Sequence, residues 1–189
     1  MKNVFLFIAI LMFGQFIQAQ SSEKKTAETV IAQAGLSKKY APKLLEDYQE
    51  NAKTKVKDLF SYFQMLTDAS LTDDLKKEVV KNIKNCFQNQ NPEVIDFTSE
   101  AYDKINLHSL IDKLLFSELI IFKVTNSWQN NSETPLSWQM NYSVTRTKSG
   151  ESQNIKVNQL VYLFEQNKAF GNSSKNITVS FLGKMLISQ

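Results

Sequence analysis

The chain has 189 residues, of which 42% are hydrophobic and 22% charged, with a formal net charge of +3. That length suits one domain plus some additional chain. Lys and Arg are scattered among Asp and Glu, which argues against the massed basic footprint of a nucleic-acid binder. A single cysteine rules out an internal disulfide, and five glycines argue against a Gly-rich phosphate loop.

Residues 1–19 have the pattern of a signal peptide. Lys2 is followed by an apolar run from Val4 to Phe13, and Ala19 is a small residue at a plausible cut. Cleavage after Ala19 would leave Gln20 as the new N-terminus. The run is too short to span a bilayer comfortably as a helix, although an uncleaved anchor is the competing reading. No cysteine stands near the cut to carry a lipid. The expectation is therefore an exported protein, periplasmic or secreted, with no stable membrane anchor after signal removal.

Residues 20–41 read as a short helical N-terminal extension. Ser21, Ser22 and Glu23 offer a cap, Ala27, Val30, Ile31 and Ala34 recur at helical spacing, and Gly35 can end the helix. Pro42 suits the first position of the next helix. From there Leu45, Tyr48, Ala52, Val56, Leu59, Phe60 and Phe63 form one stripe, which allows a helix unbroken to Leu66, about 37 Å long at 1.5 Å per residue. Residues 67–73 are polar, and Thr72 or Asp73 can cap a second helix. Leu75, Val79, Val80, Ile83 and Phe87 mark that helix as amphipathic, and it also carries Cys86. In an exported protein that cysteine is either a buried small hydrophobe or a reactive thiol, and its apolar face favours burial.

Residues 89–92 stop the second helix. Residues 93–97, short, β-branched and aromatic, read as a strand. Leu107, Leu110, Ile111, Leu114 and Leu115 give a third helix that Asn106 can cap. His108, the only histidine, sits on its first turn and has no second histidine with which to share a metal.

The remainder reads as a sheet. Phe122, Val124 and Trp128 share one side of the first strand, and residues 130–135 have the composition of a loop. Trp138, Met140, Tyr142 and Val144 then alternate with Ser137, Gln139, Asn141, Ser143 and Thr145, the cleanest period-two signal in the chain. Residues 148–151 form a turn. Ile155, Val157, Val161 and Leu163 make an inward row, while Leu160, Tyr162 and Phe164 add a second row. That requires both faces to be covered or a bulge to reset the register. Residues 166–171 turn again, and a last strand spans 175–182. Short connections imply antiparallel pairing.

Residues 42–185 are thus expected to form one α+β domain, with three helices packed on a curved antiparallel sheet. The order of elements is similar to the NTF2-like fold, a cone-shaped α+β architecture. The run from Phe60 to Lys76, the pair Cys86-Phe87 and the run from Asn176 to Val179 resemble exported bacterial NTF2-like proteins of undefined function, over residues 50–183. The resemblance implies little about chemistry, because that fold hosts isomerases, dehydratases, peptide binders and transport factors.

No catalytic set stands out, and no metal or other cofactor is expected. The first functional expectation is an exported noncatalytic binding module of the cell envelope that recognises a protein, a peptide or a small apolar ligand. Trp128, Trp138, Met140 and Tyr142 are the candidate ligand-lining residues, since pockets are largely apolar with aromatic walls. Alternating aromatics on one sheet face are also what simple burial produces. The second expectation is an isomerase or dehydratase with an acid–base pair in the cone, for which Asp96, Asp112, Glu118 and Tyr142 supply the residue types. The third is a structural or assembly component of the envelope that docks through its N-terminal helices.

Overall fold

The computed structural model describes residues 40–134, 136–171 and 173–188; side chains at 126–133 and 170 lie outside that description. The expected signal peptide, almost all of the N-terminal extension and the Trp128 side chain therefore lie outside the described residues. Among the described residues the architecture is α+β, with three helices and a curved antiparallel half-barrel of four strands.

Helix α1 (Pro42–Leu66) runs unbroken, with Pro42 opening it where a missing N–H costs nothing. Its stripe of Ala52, Val56, Leu59, Phe60, Phe63 and Leu66 is fully buried. Helix α2 (Asp73–Asn85) begins under the Thr72 hydroxyl, which accepts from the Leu75 N–H, and carries Asp73 and Asp74 at its positive end and Lys84 in its last turn. It ends two residues short of Phe87. Cys86 is its C-cap, outside the helix expected to carry it, and Leu75 is 54% exposed where the apolar stripe predicted burial.

Strand β1 (Glu93–Ile95) pairs with β2 (Lys104–Asn106), a strand not anticipated from the sequence. Asn106 then caps helix α3 (Leu107–Leu115) through its side-chain oxygen, 2.9 Å from the Ser109 N–H. Leu107, Leu110, Ile111 and Leu114 turn into the core.

The main sheet has the order β3 (Ile120–Thr134), β4 (Ser137–Lys148), β5 (Glu151–Phe170), β6 (Ser173–Ile187), all antiparallel. Ser149 and Gly150, with φ of 51° and 85°, make the two-residue turn between β4 and β5; positive φ at both positions matches the right-handed twist of a hairpin. Two expected loops prove to be strand. Residues 130–134 continue β3 against β4, and residues 166–170 continue β5 against β6, so the connections lie at Leu136 and Gly171. In both places strand pairing overrides a loop-like composition.

The inner face of β4 carries Trp138, Met140, Tyr142, Val144 and Arg146, all buried. Phe60 is the hub beneath it, with ring centroids 5.2 Å from Phe97, 5.5 Å from Phe122, 5.6 Å from Phe63 and 6.1 Å from Tyr142. The inward row of β5 keeps its register throughout, and the bulge lies on β6, where Gly183 and Lys184 together face Leu160. Gln159, fully buried, meets that irregularity. Its amide donates to the Gly183 and Lys184 carbonyls at 2.7 and 3.3 Å and its oxygen accepts from the Tyr142 hydroxyl at 3.2 Å.

Helix α1 also covers both margins of the sheet. On β3, the Ile120 and Phe122 N–H groups donate to Thr67 Oγ1 at 3.0 Å and Gln64 Oε1 at 3.2 Å. On β6, Lys55 Nζ donates to the Ser180 carbonyl at 2.5 Å. Below it, the Leu182 N–H donates to the Cys86 carbonyl at 2.8 Å, in a parallel bridge between Phe87 and Leu182. Open edges invite foreign strands, and here one helix and one short segment occupy part of each.

Candidate functional site: a polar groove beside the last strand

A second stripe lies beside the buried one on α1. Tyr48, Asn51, Lys55, Asp58 and Tyr62 are spaced by three and four residues, so they share a face. Together with Thr54 they line one wall of a groove of about 460 Å³. Asn82, Asn85 and Cys86 line it as well, and Thr178, Val179 and Ser180 of β6 form the opposite wall. The helical wall is about 21 Å long from Tyr48 to Tyr62, at 1.5 Å rise per residue.

The chemistry of the groove is that of hydrogen bonding. It offers one ammonium, one carboxylate, two phenols, three carboxamides and several hydroxyls. Lys55 is its central group. The ammonium sits 5.0 Å from the centroid of the Phe181 ring as well as on the Ser180 carbonyl. Burial lowers its pKa, with the nearby Cys86 acting in the opposite direction. Among the described residues Lys55 forms no ion pair. The Cys86 thiol donates to the Asn82 carbonyl at 3.4 Å, and burial pushes its pKa up to about 11 against the pull of Lys55. A thiol in that state is a poor nucleophile.

The structure places the sequence-derived candidates elsewhere. Trp138, Met140 and Tyr142 are 1%, 0% and 2% exposed and sit in the core between sheet and helices; none of them lines the groove. Burial raises the Tyr142 phenol well above its ordinary value, and its hydroxyl is committed to Gln159. The Trp138 ring N–H is buried and has no hydrogen-bond partner among the described residues.

The four acid–base candidates do not converge. Asp96 is buried; one oxygen accepts from Lys113 Nζ at 2.6 Å, the other from the Thr98 N–H and hydroxyl at 2.9 and 2.6 Å. Burial pushes its pKa up, but the Lys113 and Thr98 bonds outweigh that and hold it below the ordinary carboxyl value. Asp112 is exposed in a shallow depression with Lys113 and Phe116, and Glu118, also exposed, accepts from the Ser149 hydroxyl at 2.8 Å. His108 is exposed on the first turn of α3, where its backbone N–H donates to Asn91. Among the described residues no group of three His, Cys, Asp or Glu side chains is placed to hold a metal ion.

Sequence reading missed Asn51, Lys55, Asp58 and Tyr62. Their spacing was visible, but a polar stripe beside an apolar one ordinarily marks a solvated helix face. Only the position of β6 across from it makes that stripe a wall. Arg146 was missed as well. It is 3% exposed, donates from Nε to the Phe97 carbonyl at 2.6 Å and stacks 5.9 Å from the Tyr102 ring, and so ties the loop after β1 to the sheet.

No protein-family model, no curated protein and no solved structure matches the chain.

Proposed function

We propose that this protein is an exported noncatalytic binding module of the cell envelope, and that it takes its ligand in the groove between α1 and β6. The observation that carries this reading is the stripe Tyr48, Asn51, Lys55, Asp58 and Tyr62 facing an open channel of about 460 Å³. The lining favours a polar ligand, a protein segment or a peptide, over a small apolar one. The export part rests on the signal-like pattern of residues 1–19. The half-barrel with its three helices supports the NTF2-like reading of the architecture, and the groove lies at its margin rather than inside the cone. The isomerase or dehydratase reading gains no support from Asp96, which is held in an ion pair, or from Tyr142, which is held by Gln159.

An NMR screen of the protein against a library of small polar and peptidic fragments tests this. Amide shifts are expected to cluster at Tyr48–Tyr62 and Thr178–Ser180. Shifts that cluster instead around Trp138, Met140 and Tyr142 would move the site into the cone, and an unresponsive spectrum would count against a binding module.

A further inference from the structure

Resting on the groove reading, we infer that the partner is an extended polypeptide segment of another protein, which adds as a strand to β6 at Thr178, the part of its edge beyond the Lys55 and Cys86 contacts, and sets an acidic side chain on Lys55. Three observations lead there. First, β6 is the outermost strand of the sheet, and its edge already accepts backbone from outside the sheet. The Leu182 N–H takes the Cys86 carbonyl, and Phe87 bridges Leu182 in parallel. Second, the outward groups alternate along a strand. The Leu182 N–H and Ser180 carbonyl both point out, so Thr178, two residues further, presents its N–H and carbonyl to the groove as well. A chain lying there continues the line that Cys86-Phe87 begins. The groove's length of about 21 Å accommodates about six residues of extended chain at 3.3 Å each. Third, Lys55 has no ion-pair contact among the described residues, although Asp58 lines the same groove. Lys55 is half-buried and touches a neutral carbonyl and an aromatic face. A carboxylate from the partner would supply the ion pair in a partly desolvated place, where such a contact is strongest.

The test is a selection of random dodecapeptides displayed on phage against the full-length protein. Synthetic versions of the winners are then measured against three variants whose melting temperatures are checked first. Thr178→Pro removes an edge N–H without touching the ladder to β5. Lys55→Met removes the charge at similar volume, and Asn51→Trp fills the groove. The expected result is enrichment of peptides carrying Asp or Glu, with affinity at least about tenfold weaker on each variant. Loss on Asn51→Trp with full binding to Thr178→Pro and Lys55→Met would overturn strand addition and leave the groove as the site. Binding unaffected by all three would overturn the groove as well. Enrichment of sequences matching residues 20–39, or self-association that Thr178→Pro abolishes, would overturn the proposal and give the edge to the chain's own N-terminal segment or to a second copy. A selection that enriches nothing would also overturn it.

Discussion

Asp96 shows how a carboxylate that looks available in the sequence is used up in the fold. Its two oxygens receive three hydrogen bonds from Lys113 and Thr98, which hold the carboxyl below its ordinary value of 3.8 in spite of burial. A depressed folded pKa means that the unfolded chain binds the proton more readily. The stabilisation is therefore complete above the unfolded value of 3.8 and disappears as pH falls through the lower folded value. In wild type, the urea midpoint should drop across that acid window. Asp96→Asn should be less stable at neutral pH and show a flatter acid limb. A mutant whose limb parallels the wild type would mean that other carboxylates carry the acid sensitivity. Residue type alone could not distinguish this aspartate from a general base, because the distinction lies in Lys113, 17 positions away and on another element.

At the level of elements, the sequence was most legible where one face is buried. The long first helix, the capped starts of the second and third, and the alternation of Trp138, Met140, Tyr142 and Val144 all follow from apolar spacing, and all appear in the structure. It was least legible where strands continue as exposed ribbon. From 166 to 169 the side chains of β5 are solvent-exposed, so no period-two signal exists there, and pairing with β6 decides the conformation. The bulge on β6 was not foreseen: the register reset offered for the two apolar rows concerned β5, whose inward row runs on unbroken. Its supporting residue, Gln159, was not singled out in the sequence. Gln159→Leu keeps the volume but strips partners from the Gly183 carbonyl and the Tyr142 hydroxyl. It should cost about 1–3 kcal/mol, the penalty of stripping a hydrogen bond from the buried Gly183 carbonyl. Denaturant unfolding measures that, and a loss under about 0.5 kcal/mol, the level of an ordinary surface substitution, would mean that water or a shifted backbone replaces the glutamine.

Taken whole, the molecule is a half-barrel whose missing side is supplied by one helix. Thr67 and Gln64 hold the β3 margin, Lys55 holds the β6 margin, and the aromatic hub at Phe60 lies between them. Thr67→Val, which preserves shape, removes the acceptor for the Ile120 N–H. It should lower stability by about 1–3 kcal/mol. Hydrogen exchange should then speed up at Ile120 more than at Val157 in the centre of the sheet, whereas uniform acceleration would indicate global loosening instead of a released margin. The candidate site follows from the same arrangement, since the groove is the space left between α1 and β6 around Lys55. That juxtaposition is hard to see in one dimension, because its two walls are more than a hundred residues apart.

The separation of 125 positions between Lys55 and Ser180 also orders events in time. A chain emerging N-terminus first has the residues of its closing helix long before the last strand exists, so the contact between them can form only once β6 has been made. A product terminated just after β5 would lack both the strand that Lys55 grips and the seat for Cys86-Phe87, and would present its longest strand bare to whatever else is being made nearby.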